Sequence, residues 1–109
     1  MIEVTLFYRT DGKLAGYEFS GHADSAPYGE DLVCAAASVL AIVTENSLDA
    51  QGAHYEAEMN DGYVKLMLSP AANEREALIA EAVLKTLEVG AMSLAESYPA
   101  YITTNSVRV

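Results

Sequence analysis

One cysteine, two histidines and six basic residues are all that 109 positions contain of those types, and each shortage closes a class of function. A lone cysteine makes no internal disulfide, which suits a reducing compartment. Cys34, His22 and His54 are too scattered for the clustered spacing of a zinc site, so no metal is expected. The glycines form no phosphate-cradling run of the P-loop or dinucleotide kind, and nothing else points to a cofactor. No apolar run approaches the roughly 20 residues of a membrane-spanning helix. The start, "MIEVTLFYRT", lacks the basic flank and long apolar core of a secretory signal. These absences predict a cytoplasmic protein with no membrane partner. Linkers, low-complexity tracts and sequence repeats are missing too, and the chain reads as one domain over residues 1–109.

Acid, by contrast, is plentiful. The 16 acidic residues against 6 basic ones give a formal charge of -10, spread along the chain. Such a surface repels phosphate backbones, so direct nucleic-acid binding is not expected. It attracts a basic protein or peptide, faster at low salt than at high.

The period of the apolar residues divides the chain. "IEVTLFY" alternates through Ile2, Val4, Leu6 and Tyr8 as a half-buried strand does, and Asp11-Gly12 signals a hairpin that returns through "LAGYEFSG". After a loop at 26–30, residues 32–48 are almost unbroken apolar and too long for a strand, which predicts a buried helix capped by Asp31, with Gly52 past its end. "AHYEAEM" and "YVKLML", joined by Asn60-Asp61-Gly62, predict a second hairpin. Pro70 breaks the chain. Asn73 with Glu76 resembles a capping box, followed by an apolar stripe of Ile79, Val83, Leu87, Ala91 and Leu94. Pro99 closes that helix and "AYITTNSVRV" is β-branched enough for a last strand. The order β-β-α-β-β-α-β predicts an α+β fold with helices packed on an antiparallel or mixed sheet.

The chemistry-bearing residues gather in "FSGHADSAPYGEDLVCAAASVL", residues 19–40. With Asp31 as cap, Cys34 falls in the first helical turn, where free backbone N–H groups and the macrodipole favour a thiolate. His22 lies where the second strand ends, and the connection is ample to bring imidazole beside sulfur. A histidine there can take the thiol proton and later protonate a leaving amine, while N–H groups at the helix start can hold an oxyanion. Asp31 and Ser38, three before and four after Cys34, share its helix face. Asp31 can cap the helix or orient His22, and Ser38 can bond locally or line the site floor. The segment between the pair, punctuated by Pro27 and Gly29, reads as a mobile loop that covers the site and orders on substrate. Composition alone favours plainer roles: Cys34 as a small buried hydrophobe, His22 as a surface imidazole, Asp31 as a cap, Ser38 as packing, Gly21 and Gly29 as turns, and His54 as a strand residue.

Taken together, Gly21-His22-Ala23, Gly29, Asp31-Leu32-Val33-Cys34-Ala35-Ala36 and Ser38 resemble the signature of the bacterial ribosomal-processing cysteine protease family. The likeness extends to length and element order. It implies a cysteine endopeptidase, acting as a homodimer, that removes a short N-terminal extension from a large-subunit ribosomal protein. It implies cleavage after an aromatic pair in an extended segment. The same resemblance puts the nucleophile on Cys34 and the general base on His22, with Asp31 and Ser38 near the site. Two other classes stand beside it: a noncatalytic acidic module that escorts a basic ribosomal protein, and a thiol enzyme acting on a small molecule.

Overall fold

The computed structural model describes residues 1–21 and 28–109, and within the first helix the side chains from residue 32 onward. Its elements are β1 (Ile2–Tyr8), β2 (Leu14–Ser20), α1 (Tyr28–Ala50), β3 (Tyr55–Asn60), β4 (Tyr63–Leu68), α2 (Glu74–Ser97) and β5 (Ile102–Arg108). The strands form one sheet in the order β3-β4-β2-β1-β5. Every neighbouring pair is antiparallel except β1 and β5, which run parallel, so the sheet is mixed. The α+β expectation holds in order and type.

Turn chemistry sets the two hairpins. In the first, Lys13 donates its N–H to Asp11 Oδ1 at 2.9 Å, and Gly12 takes a φ of 85°. In the second, Asp61-Gly62 turns the chain with Gly62 at a φ of 70°, a conformation open to glycine at little cost.

One face of the sheet carries the core. Ile2, Val4 and Leu6 of β1, Tyr17 and Phe19 of β2, Leu66 of β4 and Ile102 of β5 are all buried. Against them α1 sets Val33, Ala37, Ala41 and Leu48, and α2 sets Ala80, Leu84, Leu87 and Ala91. A side chain such as Leu stabilises the fold by roughly 1.5–3 kcal/mol when fully buried. Tyr17 has no exposed surface, yet its phenol donates to the Ala41 carbonyl at 3.2 Å, tying β2 to α1. Burial, reinforced by the nearby negative charge of Glu45, pushes that phenol far above its ordinary pKa.

Four expectations shift. First, α1 begins at Tyr28, so Gly29 and Asp31 stand inside the helix rather than in a loop and at its cap. Aspartate suits both a cap and an acidic first turn, and the sequence does not separate the two. Second, the core row of α2 is rotated from the predicted stripe: Leu87 and Ala91 are buried, whereas Ile79, Val83 and Leu94 lie at its margin and Leu84 at its centre. Glu88 occupies that row too, held by Lys85 Nζ at 2.8 Å. Third, the capping box closes on one side only. Glu76 donates its N–H to Asn73 Oδ1 at 2.9 Å, but its carboxylate turns to His54 and to the N–H of Ala72. Fourth, Leu32–Ala50 is a 19-residue stretch long and apolar enough, by length and composition, to cross a membrane. The expected buried helix is buried along one row only: Val33, Ala37, Ala41 and Leu48 pack in the core cluster, whereas Leu32, Val39, Ile42 and Val43 are exposed, because the sheet covers a single face of α1.

Candidate active site

The site is built where β2 ends. Gly21 has a φ of 102°, and the backbone oxygen of Met1 occupies the space that a Cβ would need. Its N–H donates to the Gly62 carbonyl at 2.9 Å. Glycine alone satisfies both the left-handed backbone and the close approach. This pins the end of β2 between the start of β1 and the β3–β4 turn, and α1 passes over the corner so formed.

Between α1 and the sheet lies a cavity of about 270 Å³. Its floor includes Phe19, Ala37, Ala41 and Val64, and Asn60 and Asp61 of the β3–β4 turn contribute a polar rim. The space exists because Ala37 and Ala41 present methyl groups where a longer side chain would reach the sheet. A closed apolar cavity of about 150 Å³ already accepts a benzene ring, so this one has room for a large side chain of a ligand.

Three of the residues singled out from the sequence meet at this cavity: Gly21, Cys34 and Ser38. Cys34 is half-buried, packed against the core on its inner side. Ser38 follows one helical turn later and is exposed. The backbone of Asp31 lies one turn before Cys34 on α1, while its side chain, like the whole of His22, lies outside the described residues. The predicted covering loop falls largely at 22–27, also outside them. Because α1 starts at Tyr28, Cys34 is in the second turn and its own N–H belongs to the helical ladder. The expected oxyanion donors at the helix start are therefore not provided by Cys34 itself.

His54 stands apart from this cavity. It precedes β3, its ring is largely exposed, and Nδ1 lies 3.0 Å from Glu76. Among the described residues no group of three histidine, cysteine, aspartate or glutamate side chains is placed to hold a metal. The sequence reading missed the cavity walls contributed by Met59, Asn60 and Asp61, which read only as a strand end and a turn. The spacing of Ala37 and Ala41 after Cys34 was the available signal, since small residues at positions three and seven along put a gap beside the thiol.

This arrangement defines a class: a small α+β protein with a single thiol at the edge of an apolar cavity. The family model of Cysteine protease Prp matches residues 1–103, and the chain belongs to that family. It is a cysteine protease, and the readings as a noncatalytic escort or a small-molecule enzyme give way to that. The Ribosomal processing cysteine protease Prp of Staphylococcus aureus (strain Mu50 / ATCC 700699) is 28% identical over 108 residues, covering 96% of this chain and 98% of its own. SMU.848 from Streptococcus mutans, a crystal structure, superposes with a TM-score of 0.86 at 31% identity, over 100% of this chain and 99% of its own. The essential ribosomal processing protease Prp from S. aureus, crystallised with a substrate peptide, gives a TM-score of 0.85 at 25% identity, over 98% of this chain and 100% of its own. The same protease with a covalently linked product peptide gives 0.83 at 26% identity and the same coverage.

Proposed function

We propose that the chain is one protease domain that removes a short N-terminal extension from a large-subunit ribosomal protein, with Cys34 as nucleophile and His22 as general base. The carrying observation is the cavity of about 270 Å³ that opens beside Cys34, in a chain whose S. aureus relative was crystallised with a covalently linked product peptide. The Cys34 thiol loses its proton to the His22 imidazole, and sulfur attacks the scissile carbonyl carbon. The carbon–nitrogen bond breaks, the imidazolium protonates the leaving amine, and water hydrolyses the thioester to a carboxylate and the free thiol. No third group need react, because the third member of a triad orients the base. In this reading Asp31, one turn before Cys34 in α1, orients His22, and Ser38, which lines the cavity with Cys34, supports the site. Gly21 fixes the end of β2 immediately before His22 in the chain.

The charge of -10 attracts a free basic ribosomal protein and repels assembled RNA, so cleavage precedes subunit assembly in the cytoplasm. The enzyme works as a homodimer. Exposed Leu32, Val39 and Val43 on α1 and Val89 and Met92 on α2 give a second copy an apolar surface to cover. Cys34→Ala is expected to lower peptide cleavage by at least about 10⁴-fold while leaving the fold intact, as loss of a nucleophile does. Retained cleavage by that variant refutes the assignment. Equal cleavage rates on free ribosomal protein and on assembled subunits refute the order of events.

A further inference from the structure

The two edges of the sheet are β3 and β5, and only β3 leads to the cavity beside Cys34. Its backbone polarity follows from the ladder. Ser69 donates its N–H to the His54 carbonyl at 3.0 Å, so that pair is a bonded one, and bonded pairs alternate along an antiparallel ladder. With Tyr55 opposite Leu68, the bonded partners are Glu56 with Met67, Glu58 with Lys65 and Asn60 with Tyr63. The bond from Gly21 to Gly62 agrees, since it assigns the even-numbered residues of β4 to β2 and leaves the odd ones for β3. The N–H and C=O groups of Tyr55, Ala57 and Met59 therefore face outward, where no strand of this sheet takes them.

We infer that the outer edge of β3 is the docking track for the extended substrate segment, which adds to the sheet as a further strand and is thereby led into the cavity beside Cys34. The inference rests on the protease reading above and names how that same site holds its substrate. Continuity is the first support. Met59, at the turn end of β3, is 59% exposed and lines the cavity with Cys34 and Ile42, so a strand paired along β3 arrives beside the thiol. Charge is the second. Side chains alternate across a strand, which puts Ala57 and Met59 toward the helix side and Glu56 and Glu58 on the open face. Both glutamates are exposed and neither is in an ion pair among the described residues. An added strand whose residues alternate apolar and basic meets both rows at once, apolar residues toward Met59 and Ile42 and basic ones toward Glu56 and Glu58. The far edge, β5, has outward-facing backbone too, but the cavity borrows nothing from it.

Ala57→Pro tests the track, because proline is tolerated on an edge strand where the lost N–H faced outward, and it removes the central donor for an added strand. Two synthetic peptides are compared: a short one with only the residues flanking the scissile bond, and a long one extending it with alternating apolar and basic residues. The variant is expected to lower kcat/KM about tenfold on the long peptide and leave the short one unchanged. Equal loss on both, or no loss on the long peptide in a folded variant, overturns the track, as does a change of oligomeric state by sedimentation, which would make β3 an interface between copies. Should Ala57→Pro not fold, an N-methyl scan of the long peptide against the unaltered enzyme replaces it. Losses at every second amide support a paired strand, and losses without that period overturn it. Cleavage of the short peptide by the unaltered enzyme, abolished in Cys34→Ala, reports separately on the protease reading.

Discussion

Each of the two helices begins downstream of one of the chain's two histidines, His22 before α1 and His54 before α2, and what the described residues make of the two regions differs. At the start of α2 the polar groups are used up locally. Asn73 caps the helix, and the Glu76 carboxylate accepts the N–H groups of His54 and Ala72, each at 3.1 Å, with His54 Nδ1 at 3.0 Å. The crevice beside it holds about 30 Å³, room for little more than a water. Near the start of α1, by contrast, a half-buried thiol faces about 270 Å³ of space floored by methyl groups. Satisfied polar groups and close packing make a joint, whereas a thiol beside unfilled apolar space leaves room for a ligand. The two regions differ in what the neighbouring elements leave empty.

The difference is open to attack, first at the cavity. Ala37→Leu pushes a side chain into the space beside Cys34 and is expected to cost about 100-fold in kcat/KM, the scale of a misplaced substrate, with a stability change of no more than about 1–3 kcal/mol. Peptide turnover measured beside thermal unfolding decides it, and undiminished turnover would show that the cavity is not where substrate sits. Next in size come the two helix starts. Asn73→Ala is expected to destabilise by about 1 kcal/mol through lost capping, with activity unchanged. Asp31→Ala is expected to do the reverse, lowering turnover with a stability loss below that of Asn73→Ala, because Asp31 is not the cap. Urea unfolding and kinetics on both variants check the contrast, and a larger destabilisation from Asp31→Ala would return it to a capping role.

The smallest effect lies in the pH response of the α2 joint. The His54 backbone N–H, then the His54 ring and the Ala72 N–H, hold the Glu76 carboxyl below its ordinary value of 4.5. A depressed folded-state pKa means that the stabilisation is complete above the ordinary value and is lost as pH falls through the folded one. The stability gap between the unaltered protein and Glu76→Gln should therefore be widest near neutral pH and close on acidification. A gap that stays constant below pH 4.5 would remove Glu76 from the joint.

Much of this was legible in the residues. Alternation in β1, the Asp-Gly steps of both hairpins and the Asn73 cap are local signals, governed by backbone sterics and near-neighbour hydrogen bonds, and the structure keeps each of them. The start of α1 was less legible because Gly29 and Asp31 suit a loop as well as a first helical turn. The rotation of the α2 core row was hidden for a different reason, since Val83 and Leu84 are equally apolar and only the sheet beneath decides which is buried.

By itself the sequence determined the element order, the isolation of one thiol in a chain without disulfides, and the signature around Cys34, because these depend on residue type and spacing. Tertiary structure alone decided that β5 runs parallel beside β1, that His54 is committed to Glu76, and that the β3–β4 turn walls the cavity at Cys34. Those outcomes depend on which distant surfaces meet: small residues at Ala37 and Ala41 hint at a gap, but its walls and its volume are set by the strands and the turn that pack opposite.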